Sequence, residues 1–226
     1  VSRQASGSPN VRYIATVRGS QEVTLIARSD LVYWRDALDA IGLEPREYEG
    51  HARLLLTAVQ SHWVGVTFRE FTVAVSLAGK QQDDWFLAAA FNTSPLFAWC
   101  ERTFFQTPYE RNRVDVQVGS TSTMSLGGGA IEATCQLGER PQGYSCWEGK
   151  LHLPARQGKP GGWFAARIEG ETAVRPFFEG DLFQIDASRL PRSLAMLIEA
   201  GCEPLEWHLR ASAKHARSKT FVRGCD

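Results

Sequence analysis

Apolar and polar positions alternate with a period of two through much of this chain, a pattern that predicts half-buried β-strands. Val11–Val17 and Val23–Arg28 read as strands, with Gly19-Ser20 turning between them. The period then changes. Leu31, Trp34, Leu38 and Ile41 recur at helical spacing behind Asp30, a good N-cap, and Gly42 closes a helix over Leu31–Ile41. Arg53–Val59, Glu70–Leu77 and Trp85–Phe91 return to strand periodicity. Ser94-Pro95, a cap followed by proline at the first helical position, opens a short helix that runs to about Arg102.

The stretch Phe97–Arg113, FAWCERTFFQTPYERNR, organises the middle of the chain. An aromatic run meets alternating charges and breaks at Pro108, after which Val114–Val118 alternates again as a strand. A loop that delivers Tyr109, Glu110 and Arg111 to a strand mouth is a candidate place for chemistry. The rest of the pattern is mostly sheet: Ala130–Gln136, Trp147–Leu153, Trp163–Glu169, Thr172–Phe178, Leu182–Asp186 and Leu205–Ala211, with a helix over Leu190–Ala200. Gly127-Gly128-Gly129 is expected as a hinge between strands; a phosphate cradle needs a helix after the glycines, and a strand follows them. About ten short strands and two or three helices predict one β-dominated α+β domain over residues 11–223, a barrel or two layered sheets, behind a disordered tail at residues 1–10.

Composition narrows the partners. The 226 residues are 43% hydrophobic and carry a formal net charge of zero, so nothing predicts attraction to nucleic acid or to an anionic membrane. The apolar runs around Trp85–Phe91 and Leu194–Ile198 are too short to span a bilayer, and the opening VSRQASGSPN has no apolar signal core. A cytoplasmic protein is expected. Cys100, Cys135, Cys146, Cys202 and Cys225 show no CxxC spacing, and the five histidines do not cluster with them, so neither a metal nor a cofactor is expected. Cys135 and Cys146 could face each other across a hairpin; a cytoplasmic setting would keep them reduced.

Three segments in order resemble the acetoacetate decarboxylase-like superfamily. Ala27-Arg28-Ser29-Asp30, an amphipathic helix and Leu43-Glu44-Pro45 resemble the family's strand-end arginine, helix and L-x-P closure. Gly65-Val66-Thr67-Phe68-Arg69-Glu70 and Thr72–Val75 resemble its small-residue turn, aromatic, x-Glu and alternating strand. Ala98–Glu110 resembles its segment G-R-E, two residues, G-x-P-K-K, with Arg102 at the arginine, Pro108 at the proline, and Tyr109 and Glu110 at the paired lysines. The resemblance covers roughly the first half of the chain and implies a closed, cone-shaped β-barrel with two or three flanking helices. It also implies a departure. The family's first lysine forms an imine with the substrate ketone, helped by an adjacent cation that activates it. Tyr109 has no amine, and Glu110 reverses the neighbouring charge. A second active-site glutamate of the family would fall near Leu55, where no acid stands.

The site residues then carry two readings each. Arg28 is either a bidentate dock for a substrate carboxylate or a surface strand-end arginine. Glu70 is either a buried general base or the ion-pair partner of Arg69, Arg53 or Arg102. Tyr109 either offers a neutral phenol to a carbonyl or enolate oxygen or plugs the cavity. Arg102, Phe68 and Phe105 are candidates to contact substrate, with ion pairing for Arg102 and core packing for the rings as the alternatives. Of the lysines, only Lys150 lies in a strand pattern and could face inward to form a relocated imine. The expected function is non-imine acid–base (enolate) chemistry on a small organic acid or polyketide-like carbonyl compound: isomerisation, cyclisation, dehydration or decarboxylation, in secondary metabolism, by a homo-oligomer. The alternatives are a non-catalytic small-molecule binding protein and a decarboxylase using Lys150.

Overall fold

The computed structural model describes residues 11–63, 65–79, 84–136, 143–155 and 161–222. The tail expected at residues 1–10, Lys80, Lys159 and Cys225 lie outside the described residues. In chain order the elements are β1 (Tyr13–Asp30), α1 (Leu31–Asp39), β2 (Glu47–Tyr48), β3 (His51–Trp63), β4 (Val66–Ser76), β5 (Trp85–Asn92), α2 (Pro95–Phe104), β6 (Tyr109–Arg111), β7 (Val114–Gln117), β8 (Thr121–Leu126), β9 (Ile131–Gln136), β10 (Gly143–His152), β11 (Gly162–Pro176), β12 (Leu182–Ile185), α3 (Met196–Glu199), β13 (Glu203–Ser218) and β14 (Phe221–Val222). The two long helices start as their caps predict: Asp30 accepts from the backbone N–H groups of Val32 and Tyr33, and Ser94 from that of Phe97.

The large sheet runs β1-β13-β11-β10-β5-β4-β3, and β3 pairs back with β1, so seven strands close a ring. Neighbours in the ring are antiparallel except β10 and β5, which run parallel. A second sheet of four strands, β12-β9-β8-β7, packs on the outside. The main core lies between them. Val23, Leu25, Leu54, Leu56, Phe71 and Val73 on the ring meet Val116, Met124, Leu126 and Ile131 of the small sheet, and Leu31, Trp34 and Leu38 of α1 join the same cluster. In β3 the outward Ala52, Leu54, Leu56 and Ala58 are buried, while the inward Arg53, Leu55 and Thr57 keep partial access to solvent. The barrel is therefore packed tightly on its outer face and less tightly within.

Several predicted boundaries are corrected. Gly19-Ser20 is no turn: β1 runs straight through it, and Gly19 at φ 70 is the extra residue of a β-bulge between Arg18 and Ser20, followed by a second register shift between Ser20 and Glu22. Trp163–Glu169 and Thr172–Phe178 likewise fuse into β11, whose register against β13 slips between Gly170 and Ala173. These bulges bend long strands enough to close a small ring. The glycine triplet joins β8 to β9 as a hairpin turn, all three residues at positive φ. β8 itself escapes notice because its buried face carries Ser122 beside Met124 and Leu126. The helix expected over Leu190–Ala200 shrinks to a 3-10 turn at Arg192–Leu194 and the single turn of α3. The final strand, expected to end at Ala211, runs on to Ser218 and takes in Lys214. Cys135 and Cys146 do not face each other: they sit in different sheets, on β9 and β10, and both are free thiols.

Candidate functional site

One register row crosses the inner face of the ring. Glu22 on β1 pairs with Val59 on β3, Val59 with Glu70 on β4, and Glu70 with Asn92 on β5. Side chains of directly paired residues share a face, so Glu22 and Glu70 both point inward, their Cα atoms about 10 Å apart at the usual strand spacing. The loop after α2 returns as β6, a short strand parallel to β5 that pairs Tyr109 with Ala90, the residue opposite Thr72, two residues along from Glu70 on the same face. Tyr109 is buried and packs with Leu87, Ala90, Ala98, Leu153 and Phe164. The sequence reading thus placed two residues, Glu70 and Tyr109, that the fold brings together.

Their chemistry follows from what surrounds them. The Asn92 amide donates to Glu70 Oε1 at 2.9 Å, and the Tyr109 hydroxyl reaches the same carboxylate. Burial pushes the Glu70 carboxyl up to about 7, and the charge of Glu101 adds to the rise. The Asn92 hydrogen bond, the Arg217 charge and the Tyr109 hydrogen bond hold it back. Burial, followed by the charges of Glu70 and Glu101, pushes the Tyr109 phenol well above its ordinary value, so it remains a neutral donor. A carboxyl poised near neutrality beside a fixed hydrogen-bond donor is equipped for general acid–base work.

The cation of this site is Arg217. From β13 its Nη1 donates to both oxygens of Glu101 on α2, and Thr107 Oγ1 donates to Glu101 Oε2 at 2.9 Å. The guanidinium carbon sits 4.5 Å from the Phe105 ring centroid and 4.2 Å from that of Phe164, a cation held between two aromatic faces. Phe105 is thus at the site. Phe68 lines the same face of β4 as Glu70 and packs against Phe97 at 4.6 Å.

Other expected residues lie elsewhere. Arg28 is six residues further along β1 than Glu22, about 20 Å by the strand rise. There it donates from Nε to Glu203 Oε2 at 2.6 Å, beside a surface cavity of about 360 Å³ that His51, Arg53 and Tyr48 also line. Arg102 is exposed on α2 and makes no ion pair among the described residues; its neighbour Glu101 is the α2 residue that reaches the site. Arg69 donates to Gln60 and Arg53 lies over the Tyr48 ring, so neither pairs with Glu70. Lys150 does not face inward. It pairs with Ala165 on the face opposite Leu151 and Phe164, and its amine lies 4.4 Å from the Trp163 ring centroid, outside the barrel. Lys214 pairs with Glu169 and Lys219 lies over Phe221.

Sequence reading missed a second inward group. Glu22 is 1% exposed and Arg210 donates to its Oε1 from the paired position on β13. Thr24 Oγ1 donates to the same oxygen at 3.1 Å. The other oxygen, Oε2, lies 3.0 Å from His215 Nε2. Burial opposes the Glu22 charge, but the His215 hydrogen bond and the Arg210 charge win and bring its carboxyl down to about 2. Glu22 went unnoticed because Gly19-Ser20 looked like a turn, which left it in a loop. Its parity with Thr24 and Ile26 was the available signal.

No family model matches the chain, and no curated protein matches it. Solved structures do. The chain is 14% identical to the enduracididine biosynthesis enzyme MppR with HEPES bound, over 92% of this chain and 87% of that one, with a TM-score of 0.63. It is 15% identical to an acetoacetate decarboxylase, over 95% and 90% of the two chains, with a TM-score of 0.60. The acetoacetate decarboxylase of Legionella pneumophila subsp. pneumophila str. Philadelphia 1 is 16% identical over 98% and 92%, also at 0.60. The fold is that of the acetoacetate decarboxylase-like proteins, the closed β-barrel that the residue resemblance implies. Among the described residues no helix is long and apolar enough to cross a membrane.

Proposed function

We propose that this chain is an enzyme of the acetoacetate decarboxylase-like superfamily that works without an imine, by acid–base chemistry on a small organic acid or polyketide-like carbonyl compound inside the barrel. The observation that carries the reading is the Glu70 carboxyl, raised to about 7 between the Asn92 amide and the Tyr109 phenol. Ionised Glu70 takes a proton from the carbon next to a carbonyl. The C–H pair becomes the carbon–carbon π bond of an enolate, and Tyr109 turns its hydrogen bond to the developing oxyanion. Isomerisation, cyclisation, dehydration and decarboxylation all pass through such an enolate, and secondary metabolism is a fitting setting. Solved neighbours support the substrate class: one MppR structure is described in complex with pyruvate, another with the condensation product of pyruvate and imidazole 4-carboxaldehyde.

Borohydride reduction in the presence of a keto acid tests the absence of an imine. Lys150 acquires no reduced adduct, because its amine lies outside the barrel; an adduct on any lysine ends this reading. Glu70→Gln and Tyr109→Phe test the acid–base roles. Each lowers turnover by roughly 10²-fold or more, and two variants that turn over like wild type would remove both residues from the mechanism. A second reading, a small-molecule binding protein with a partly filled interior, draws on the inward Glu22–Arg210 and Glu101–Arg217 pairs. Ligand retention without turnover in wild type is its signature.

A further inference from the structure

We propose that His215, oriented by Glu22, is a second proton-transfer residue of the chamber, facing it from the wall opposite Tyr109, and that Glu22 is its positioning residue. This inference rests on the reading of the inner face as a reaction chamber. The β1–β13 ladder pairs His215 with Val17 and Glu22 with Arg210, five positions apart on β1. The two bulges between Arg18 and Glu22 bend the strands so that one carboxylate meets both side chains. The two Glu22 oxygens are divided between them: Oε1 takes Arg210 and Thr24, and Oε2 is left to face His215 Nε2 at 3.0 Å. Arg210 and Thr24 thereby fix the orientation of the carboxylate that faces the imidazole, the way an acid orients a catalytic histidine in hydrolase triads. Glu22 is 1% exposed, whereas the His215 side chain keeps 23% of its surface accessible, so the pair is anchored at one end and open at the other. Nε2 is buried against Glu22, which leaves Nδ1 as the nitrogen available to a ligand.

The neighbours of His215 suit that role. On its own strand the titratable residues of the same face are Arg217, Arg210, the His208–Glu206 pair and, at the far end, Glu203; on β1 it faces Val17 and Glu22, and on β11 Ile168. Glu70 stands in the same row as Glu22, about 10 Å away across β3. A small carbonyl compound can therefore be reached from both sides. Glu70 takes the proton from carbon, the C–H electron pair forms the carbon–carbon π bond, and the carbonyl π pair moves to oxygen. Imidazolium His215 then gives its Nδ1 proton to that oxygen, leaving a neutral imidazole and an enol. The reverse transfers at another carbon complete an isomerisation with no change in the proton count.

The test follows exchange of the methyl protons of pyruvate in D₂O by proton NMR, with wild type, His215→Gln, His215→Ala, Glu22→Gln and Glu70→Gln, each checked for native circular dichroism. His215→Gln is expected to lower the maximal exchange rate by roughly 10²-fold with KM within about threefold. Added imidazole is expected to restore exchange to His215→Ala, which a structural histidine would not allow. Glu22→Gln is expected to slow the maximal rate at unchanged KM and to gain nothing from imidazole. Full exchange by His215→Gln with none by Glu70→Gln overturns this inference alone. Full exchange by Glu70→Gln with none by His215→Gln overturns the Glu70 reading and keeps His215. A wild type no faster than buffer overturns both, and so does a loss in both variants that appears only in KM. A folded His215→Ala that imidazole does not rescue counts against the proton-transfer role.

Discussion

Arg217 on β13 and Glu101 on α2 form an ion pair through one nitrogen, Nη1 lying 2.7 and 2.6 Å from the two carboxylate oxygens. It joins the last long strand to the helix whose following loop delivers Tyr109. Both side chains are mostly buried, at 18% and 17% exposure. Removing one partner of such a pair leaves the other charge poorly solvated, so Arg217→Gln is expected to cost about 2–3 kcal/mol, somewhat less than for a fully buried pair. Urea unfolding should show a lower midpoint at constant slope. Arg217 also holds the Glu70 carboxyl down, so the same variant moves the Glu70 titration to higher pH.

Glu70 makes stability depend on pH in one direction. Its folded carboxyl titrates near 7 against an ordinary 4.5, so the native chain binds more protons between those values. That contribution is complete below about 4.5 and is lost as pH rises through 7. Glu70→Gln should therefore unfold at a higher denaturant concentration than wild type above pH 7, by on the order of 3 kcal/mol at most. Parallel stability curves for the two proteins between pH 5 and 8 would remove Glu70 as the titrating group.

Glu22 acts with the opposite sign. Its carboxyl sits near 2 when folded, so its contribution is present above the ordinary value of 4.5 and disappears as pH falls toward 2. At pH 7, Glu22→Gln strands Arg210 inside the barrel and should cost roughly 3–5 kcal/mol. The gap between variant and wild type should then narrow in acid, as measured by urea midpoints from pH 7 down to pH 3.

Gly170 marks the point where two strands crowd. A Cβ there would lie 2.8 Å from the Ser212 carbonyl oxygen and 3.3 Å from the Ala213 Cα. Both are backbone atoms that cannot rotate away, so Gly170→Ala should cost roughly 1–3 kcal/mol. Gly143→Ala, whose added carbon meets nothing within 4 Å, is the control, and thermal melts of the two should separate by several degrees.

Glu70 and Tyr109 were legible because each sits where a local pattern speaks: an acid opening an apolar strand, and an aromatic behind a proline break. The two helix starts were legible through Asp30 and Ser94, since capping is decided by neighbours in the chain. Glu22, His215 and Arg217 were not. Their roles depend on bulges at Gly19 and Gly170 that turn apparent turns into continuous strands, and a bulge and a turn share the same glycine. Arg28 stands apart for the converse reason. Its local surroundings suit a carboxylate dock, but the strand register sets it far from the row of Glu22 and Glu70, and Glu203 holds it there.

Among the described residues the parallel contact between β10 and β5 is the shortest in the ring, two pairs, Leu151 with Trp85 and His152 with Phe86. Beyond those pairs β5 turns to β6 instead. Six of the seven junctions are long antiparallel ladders, so this one behaves as the clasp of a bracelet. Strain, heat or an arriving ligand will part the ring there first, and the segment that swings with it is the one holding α2 and Tyr109. Amide exchange at Trp85 and Phe86 should accordingly outpace that of the β1–β3 ladder, and a barrel with one clasp can admit a guest without dismantling its wall.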